Sequence, residues 1–417
     1  MIPAISAREV RTAHVLRREL ALFDLGTEAS FATDHPLFAA QLDVEYAQQQ
    51  AIAKLPRRDV PIVLYDRQEG AVERVAVQLR ELGFSQIHRL EGGLSGWREA
   101  GFELFQDVNS YSKAFGELVE SRRHTPSVAP EQLKQLIDSG ADIAVLDARR
   151  FDEYNTMSIP SGTSVPGAEL VLRARELAPD PRTTIVVNCA GRTRSIIGAQ
   201  SLINAGLPNK VVALRNGTIG WTLAGQALEH GQTRNVPKVR RLFAAEARER
   251  ARTVAYRAGV KRIGTTELAQ LERDLTRTLY RFDVRTPEEF AEGHLPSFRS
   301  APGGQLVQET DMFAPVRGAR IVLSDLTGPG EEPLGARADM SASWLAQMGW
   351  EVYVLNDAAD ARETGAAAPL PRNLSGRYRR PYEGTDNPRS AMQAYLEWEY
   401  GLVAQLARDG SHGFFVI

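Results

Sequence analysis

One pattern of apolar runs and turn residues occurs three times along this chain at a constant spacing. Each copy opens with a short apolar run that ends in an aspartate: Asp24, Asp147 and Asp283. A second apolar run ends 42 residues later in every copy, at Asp66, Cys189 and Asp325. Because chance does not preserve such a spacing, we infer an internal repeat and call its units the first, second and third copy.

The rest of each copy indicates how a unit folds. A helix-type segment follows the second run and is closed by a glycine, at Gly83, Gly206 and Gly349. Glycine is the usual residue where a helix ends in a left-handed conformation. A third apolar run comes directly afterwards. Short apolar strands that alternate with helices are typical of parallel sheets covered on both faces. The sequence therefore predicts an α/β protein of three tandem domains, each with a core of its own.

The segments outside the apolar runs set the predicted organisation. We predict domains at residues 1–108, 125–232 and 261–360. Residues 237–260 have charges at helical spacing and are predicted to form a helical linker. Residues 357–376 are rich in Ala, Pro and Gly, which favours a flexible linker. Residues 377–417 are predicted to be a C-terminal tail, whose amphipathic helix docks on one of the domains.

Composition restricts the partners and the compartment. With 43% hydrophobic and 24% charged residues, the chain has the make-up of a soluble globular protein. Its formal net charge of −2 gives no reason to expect nucleic acid as a partner. No apolar run approaches the ~20 residues that cross a bilayer, and no signal peptide is visible, so no membrane partner is expected. The single cysteine excludes an intrachain disulfide and favours a cytoplasmic location.

The single cysteine also has unusual neighbours. Cys189 ends the second apolar run of its copy, and the loop after it contains Gly191, Arg192 and Arg194. A helix is predicted to begin near Ser195. Backbone amides, a helix N-terminus and guanidinium groups all favour a thiolate. A cysteine that only fills a core needs none of them. We therefore predict that Cys189 is a catalytic nucleophile, with no metal and no cofactor.

The loop after the cysteine supplies the predicted substrate-binding residues: Ala190, Gly191, Arg192, Thr193, Arg194 and Ser195. Gly191 is expected to allow a tight backbone path that turns the loop amides toward the sulfur. Arg192 and Arg194 suit an anionic donor because guanidinium groups donate paired hydrogen bonds, although a structural ion pair is the alternative for each. The hydroxyls of Thr193 and Ser195 either bind the donor or cap the helix.

The second copy resembles the rhodanese sulfurtransferases. Its matching parts are residues 147–149, Glu153, Tyr154, residues 158–160, the cysteine loop and residues 216–221. The third copy carries the early part of the same pattern in residues 283–290 and 293–296. The resemblance covers about residues 1–360. It implies the rhodanese fold, a five-stranded parallel sheet flanked by helices, and sulfur transfer through a persulfide on Cys189.

The chain departs from the family pattern at three positions. Ser158 stands where the family often has a histidine. Asp66 and Asp325 occupy the nucleophile position of the first and third copies. Because a carboxylate cannot form a persulfide, both copies are predicted to be catalytically silent. A charged trio near the cysteine is predicted to give structural support: Asp147, Arg149 and Glu153. The third copy keeps its equivalent without a nucleophile: Asp283, Arg285 and Glu289.

The predicted function is sulfur transfer from a small anionic donor, such as thiosulfate, to an external thiol or cyanide. A cysteine phosphatase also uses a loop from cysteine to arginine, but its arginine comes six residues after the cysteine. Here Ser195 has that position and Arg194 comes at five. A second hypothesis is a sulfur-relay carrier or interaction scaffold, loaded by a partner enzyme and serving a protein acceptor. A redox switch is disfavoured because no second cysteine can resolve a disulfide.

Overall fold

The computed structural model describes residues 2–67, 70–236, 238–325, 335–357, 362–380 and 382–417. The strands are β1 (Ala4–Ile5), β2 (Leu20–Asp24), β3 (Ala39–Gln41), β4 (Ile62–Tyr65), β5 (Ile87–Leu90), β6 (Ser127–Val128), β7 (Ile143–Asp147), β8 (Thr163–Ser164), β9 (Thr184–Asn188), β10 (Val211–Leu214), β11 (Lys261–Ile263), β12 (Leu279–Asp283), β13 (Arg299–Ser300), β14 (Val316–Arg317), β15 (Arg320–Ser324) and β16 (Glu351–Leu355).

The α-helices are α1 (Ala7–Val15), α2 (Glu28–Phe31), α3 (Ala47–Lys54), α4 (Ala71–Glu81), α5 (Gly93–Glu99), α6 (Ser110–Arg123), α7 (Pro130–Asp138), α8 (Phe151–Thr156), α9 (Leu170–Leu177), α10 (Thr193–Asn204), α11 (Gly217–Leu223), α12 (Arg241–Arg257), α13 (Thr265–Arg273), α14 (Pro287–Glu292), α15 (Gly303–Gln308), α16 (Thr310–Phe313), α17 (Ala336–Gln347) and α18 (Pro388–Asp409). Single 3₁₀ turns lie at Val44–Tyr46 and Gly167–Glu169. No helix among the described residues is long and apolar enough to span a membrane.

Three sheets share one strand order. The first runs β1-β5-β4-β2-β3, the second β6-β10-β9-β7-β8 and the third β11-β16-β15-β12-β13, with parallel pairing throughout these five-strand sets. The central strands are buried on both faces; Ile185, Val186 and Val187 of β9 are fully covered. The predicted fold class of three tandem parallel sheets flanked by helices, with a helical C-terminal tail, is confirmed. The residue boundaries of the domains stay predictions.

The constant spacing of the copies reflects a constant register. Asp147 at the end of β7 pairs with Asn188 at the end of β9, and Asp283 pairs with Ser324 in the same way. The following residue, Cys189 or Asp325, therefore leaves its sheet beside that aspartate. Because the carboxyl ends of parallel strands lie at one edge of a sheet, this edge is where the copies place their sites.

Each copy has a hydrophobic cluster of its own on one face of its sheet, with Trp97, Trp221 and Tyr353 in the three clusters, and shares the cluster on the other face. β14, from the third copy, pairs antiparallel with β2, with Val316 opposite Ala21. One hydrophobic cluster joins the first and third copies, including Phe23, Phe115 and Phe282. A second cluster joins the second copy to α12 and to Met340 of α17. Each copy thus combines a core of its own with a shared core, because the helices on the other face of each small sheet also pack against the next copy.

The connecting segments are part of this packing. α12, within the predicted linker 237–260, packs against α9 and α17. The predicted flexible linker is hydrogen-bonded along the first copy where it is described, from residue 362: the Ala29 N–H donates to the Gly376 carbonyl at 3.0 Å, and the Asn373 N–H donates to Asp43 at 2.7 Å. Residues 358–361 lie outside the described residues. The tail then continues into α18, which packs on α6.

Candidate active site

Cys189 lies directly after β9, buried at the N-terminal end of α10. That helix begins at Thr193, with Arg192 as its N-cap, two residues before the predicted start. The Cys189 thiol donates to the Ser195 hydroxyl, with 3.5 Å between Sγ and Oγ, and that hydroxyl donates to the Arg192 carbonyl at 2.8 Å. Ser195 therefore contacts the sulfur and also bonds the first turn of the helix.

The thiol is more deeply covered than its loop alone predicts, with only 2% of the residue exposed. Burial raises the pKa of Cys189, and the nearby Glu399 carboxyl raises it further. The positive charge of Arg194 and the hydrogen bonds from Ser195 act in the opposite direction. The expectation of a favoured thiolate is therefore not met in this arrangement. Its loop features are present, but the rest of the chain removes water from the sulfur.

Arg194 is held by Glu153 of α8. The guanidinium donates through Nη1 to Oε2 at 2.6 Å and through Nη2 to Oε1 at 2.9 Å. Although burial opposes it, the charge of Arg194 lowers the pKa of Glu153 to about 2. Such a paired contact fixes the plane of the guanidinium. Arg194 thus has a defined position next to the buried sulfur.

Asp147 and Arg149 form a buried ion pair behind this contact. Arg149 donates to both Asp147 oxygens, at 2.9 and 2.7 Å, and to the Met157 carbonyl at 2.6 Å. The Asn188 side-chain amide donates to the same carboxylate at 3.0 Å. The pair thereby ties the ends of β7 and β9 to α8. The third copy repeats the arrangement with Asp283 and Arg285.

Arg192 lines the chamber of Cys189, but its guanidinium is held by other side chains. Its guanidinium donates to Glu117 of α6 at 2.7 and 2.8 Å, to Glu120, and to Asn216 at 3.2 Å, and it lies over the ring of Tyr400. Every nitrogen of the guanidinium is therefore engaged. The expectation that this side chain binds the donor is corrected to the structural alternative, because α6 supplies acidic partners that the loop sequence does not reveal.

Gly191 leaves room for the side chains of α18 that pack against the cysteine loop. Its φ angle is outside the left-handed region, so what matters here is the absent side chain rather than a left-handed backbone. A Cβ at this position would lie 3.1 Å from Glu399 Oε2 and 3.5 Å from a ring carbon of Tyr395, both on α18. Gly217, by contrast, has φ +54°, and a Cβ there would lie 2.2 Å from the Cys189 carbonyl oxygen. The cysteine loop is thus confined by α18 on one side and α11 on the other.

The remaining loop residues have less specific contacts. The Ala190 carbonyl accepts from the Ile219 N–H at 3.0 Å, so this residue contributes to loop position. The Thr193 hydroxyl is buried and has no hydrogen-bond partner among the described residues. Within the described part of the chain, no group of three or more His, Cys, Asp or Glu residues could hold a metal ion.

Cys189 lines a chamber of about 380 Å³, which is enclosed by residues of the three copies and of the tail. Beyond the cysteine loop, its walls come from the first copy, the third copy and the tail: Glu28, Phe31, Gln41, Gln305, Glu309, Met312, Tyr378, Arg380, Tyr382, Tyr395 and Glu399. Sequence reasoning missed these residues. Tyr395 and Glu399 belong to the amphipathic helix that the sequence predicts for the tail, but that pattern does not show which site the helix reaches.

In the first and third copies, the carboxylates of Asp66 and Asp325 lie where the second copy has the sulfur of Cys189. Asp66 accepts from the Ala71 and Val72 amides at 3.0 and 3.1 Å, at the N-terminus of α4. Asp325 pairs with Arg337 of α17, which corresponds in place to Arg194. These positions have anion-binding groups, but the protein's own carboxylate occupies them.

A model of the Rhodanese-like domain family matches residues 12–100 and 129–224. The chain is also 48% identical to a thiosulfate sulfurtransferase from Pseudomonas aeruginosa of known crystal structure; the match covers 100% of both chains with a TM-score of 0.94. The chain belongs to the rhodanese sulfurtransferase family. A curated Bacillus subtilis (strain 168) protein, the candidate sulfur carrier YrkF, is 30% identical to this rhodanese over 103 residues, 25% of this chain and 54% of that protein. This sulfurtransferase therefore spans about half the length of that curated relative. Its single cysteine fits a persulfide-forming member of the family.

Proposed function

We propose that this rhodanese transfers sulfane sulfur from a small anionic donor, such as thiosulfate, to an external thiol or to cyanide. The observation that carries the proposal is that Cys189 and Arg194 border the same small chamber. A thiolate there has a cation beside it and room for a donor of few atoms. The thiosulfate sulfurtransferase from Pseudomonas aeruginosa, similar over its whole length, supports this choice of donor.

The reaction proceeds in two displacements. The Cys189 thiolate attacks the outer sulfur of thiosulfate, a sulfur–sulfur bond forms at Sγ, and the donor's own sulfur–sulfur bond breaks. The electron pair leaves with sulfite. In the second half-reaction the acceptor, as a thiolate or cyanide, attacks the outer sulfur of the persulfide. The enzyme thiolate leaves, and the product is an acceptor persulfide or thiocyanate. No net oxidation occurs in either step.

The surrounding groups lower the barriers of both steps. Arg194 stabilises the Cys189 thiolate and the negative charge that builds on the departing sulfite. The Ser195 backbone N–H is directed at the sulfur and favours its anion. The burial that raises the pKa of the free thiol also excludes water from the persulfide and so limits its hydrolysis. Since the chain has no other cysteine, the sulfur must leave to an external acceptor.

A sulfur-relay role is the second candidate, supported by the likeness to the candidate carrier YrkF. A protein acceptor would have to reach a sulfur that is 2% exposed beneath α18. The enclosed chamber therefore favours small molecules over a docked protein. Turnover with thiosulfate and cyanide distinguishes the two candidates. Rapid turnover with these small molecules counts against a dedicated carrier. A cytoplasmic location stays a prediction from the single cysteine.

Intact-mass analysis tests the proposed chemistry. The wild-type protein is incubated with thiosulfate and compared with Cys189→Ser. We expect one added sulfur atom on the wild type and none on the variant, and loss of that atom on addition of cyanide. No added sulfur on the wild type, or equal addition to the variant, would refute the proposal.

A further inference from the structure

The tail places a second arginine at the carboxylate that holds Arg194. Arg380 donates through Nη2 to Glu153 Oε1, at 3.2 Å, and Arg194 uses the same oxygen at 2.9 Å. Arg150 lies slightly further out, with its Nε 3.7 Å from Glu153 Oε2. One carboxylate therefore faces three guanidinium groups, and the cluster has an excess of positive charge toward the chamber.

The position of Arg380 is fixed from both sides. On its N-terminal side the Tyr378 N–H donates to Glu28 at 2.8 Å, and the Tyr378 hydroxyl donates to Asp107 at 2.9 Å. On its C-terminal side Arg389 of α18 donates to the Leu223 carbonyl at 2.6 Å. These contacts attach the tail to the first and second copies. The side chain of Arg380 is 38% exposed and lines the same chamber as Cys189.

The acidic residues of the chamber cancel only part of this charge; Glu28 and Asp311 also line it, and Glu28 is engaged by the Tyr378 N–H. Glu309 and Glu399 both lie in its wall, and burial raises the pKa of each to about 7. Each is therefore largely protonated just below neutral pH. Glu153 itself is occupied by Arg194. A small anion in the chamber thus faces Arg194 and Arg380, which share the single Glu153 carboxylate with Arg150.

We propose that Arg380 is a donor-binding residue, which holds the oxyanion end of the sulfur donor together with Arg194. This inference rests on the proposed function. It gives to the tail the role that the loop residue Arg192 cannot perform, since α6 engages that side chain. The donor class is a small sulfonate-type anion, whose oxygens accept the paired hydrogen bonds of guanidinium groups. The anion site is then complete only when the tail lies against the second copy.

Comparing the two half-reactions distinguishes a loss of donor binding from a general structural effect of the substitution. Thiosulfate carries the oxyanion group, whereas cyanide in the second half-reaction has no oxygen to bind. With Arg380→Gln we expect kcat/KM for thiosulfate to fall about tenfold, the typical loss of a charge-assisted hydrogen bond. We expect kcat/KM for cyanide to stay within about twofold of wild type. Arg380→Lys keeps the charge without the fork and should restore part of the thiosulfate value.

The matched control is Arg379→Gln, which removes the same charge from the neighbouring exposed position. It should leave both constants at the wild-type value. Unchanged thiosulfate kinetics in Arg380→Gln would overturn the inference, and so would an equal loss in both half-reactions, which indicates a displaced tail. If wild type itself gains no sulfur from thiosulfate, it is the proposed function that fails.

Discussion

In the third copy, Arg337 forms an ion pair with Asp325 across 2.8 Å, at the place where the second copy has its arginine and cysteine. Arg337 is fully buried and also contacts Glu289 of its own copy and Glu169 of the second copy, the latter at 3.0 Å. An anion-binding group has thus become a structural contact between two copies. The third copy, which has Asp325 in place of a cysteine, thus helps to support the second.

Asp325→Ala should therefore destabilise the protein although it is remote from the reacting sulfur. The change leaves Arg337 buried with one carboxylate fewer, and removing a partner from a buried pair costs about 3 kcal/mol. Chemical unfolding would measure the loss. Glu292→Ala, an exposed position at the end of α14, is the control and should change little. Equal stability of Asp325→Ala and the control would contradict the assigned role.

Arg192 and Glu117 offer a double-variant test of the corrected assignment. Arg192→Met leaves the Glu117 carboxylate buried without its main partner, which should cost about 3–5 kcal/mol of unfolding free energy. In Arg192→Met/Glu117→Leu both charges are absent, and much of that loss should be recovered. A donor-binding role for Arg192 predicts the opposite pattern: normal stability in the single variant, with a raised KM for thiosulfate.

Gly217 and Gly93 are corresponding glycines whose surroundings differ. Their φ angles are +54° and +53°, but a Cβ on Gly217 would overlap the Cys189 carbonyl oxygen, whereas one on Gly93 meets nothing within 4 Å. Gly93→Ala should cost only the backbone strain, about 1–2 kcal/mol. Gly217→Ala should in addition displace the cysteine loop and abolish persulfide formation. Mass analysis with thiosulfate checks both, and normal sulfur uptake by Gly217→Ala would disprove the predicted displacement.

Glu399 should make stability depend on pH. Burial raises its pKa to about 7, Lys113 acts against the rise, and Glu117 adds to it; the Tyr395 hydroxyl donates to it at 3.1 Å. An unfolded glutamate titrates near ~4.3. The folded state thus retains a proton that the unfolded state has lost, so stability falls as pH rises from about 4.3 to 7, by about 3 kcal/mol.

Glu399→Gln removes this titration and provides the comparison. The stability advantage of wild type over the variant should decline by about 3 kcal/mol between pH 4 and pH 8, measured by urea unfolding. Taking the difference in unfolding free energy between the two proteins removes the contribution of other groups that titrate in this range, such as Glu309. A difference that does not vary with pH would show that this carboxyl titrates normally.

The sequence predicts those features that depend on local pattern. The 42-residue spacing recurs because Asp147 and Asn188 are paired neighbours in the sheet. A strand register of this kind can be recognised from the sequence as a constant spacing. The cysteine loop can also be recognised from the sequence, because its residues are consecutive. Contacts distant in sequence cannot be recognised in this way: Glu117 lies 75 residues from Arg192, and Arg380 lies 227 residues from Glu153. For this reason the sequence alone draws attention to the loop arginine and gives no indication that Arg380 lies beside Glu153.

The strand pairing between β14 and β2 has a consequence for the order of folding. Leu20 and Ala21 find their edge partners only in Arg317 and Val316, almost three hundred residues later. During synthesis on the ribosome, the second copy can therefore complete its five strands while the first still has an open edge. An unpaired edge is a template for pairing between chains. A nascent chain stopped before residue 316 should thus leave this edge of β2 unpaired and open to pairing with another chain.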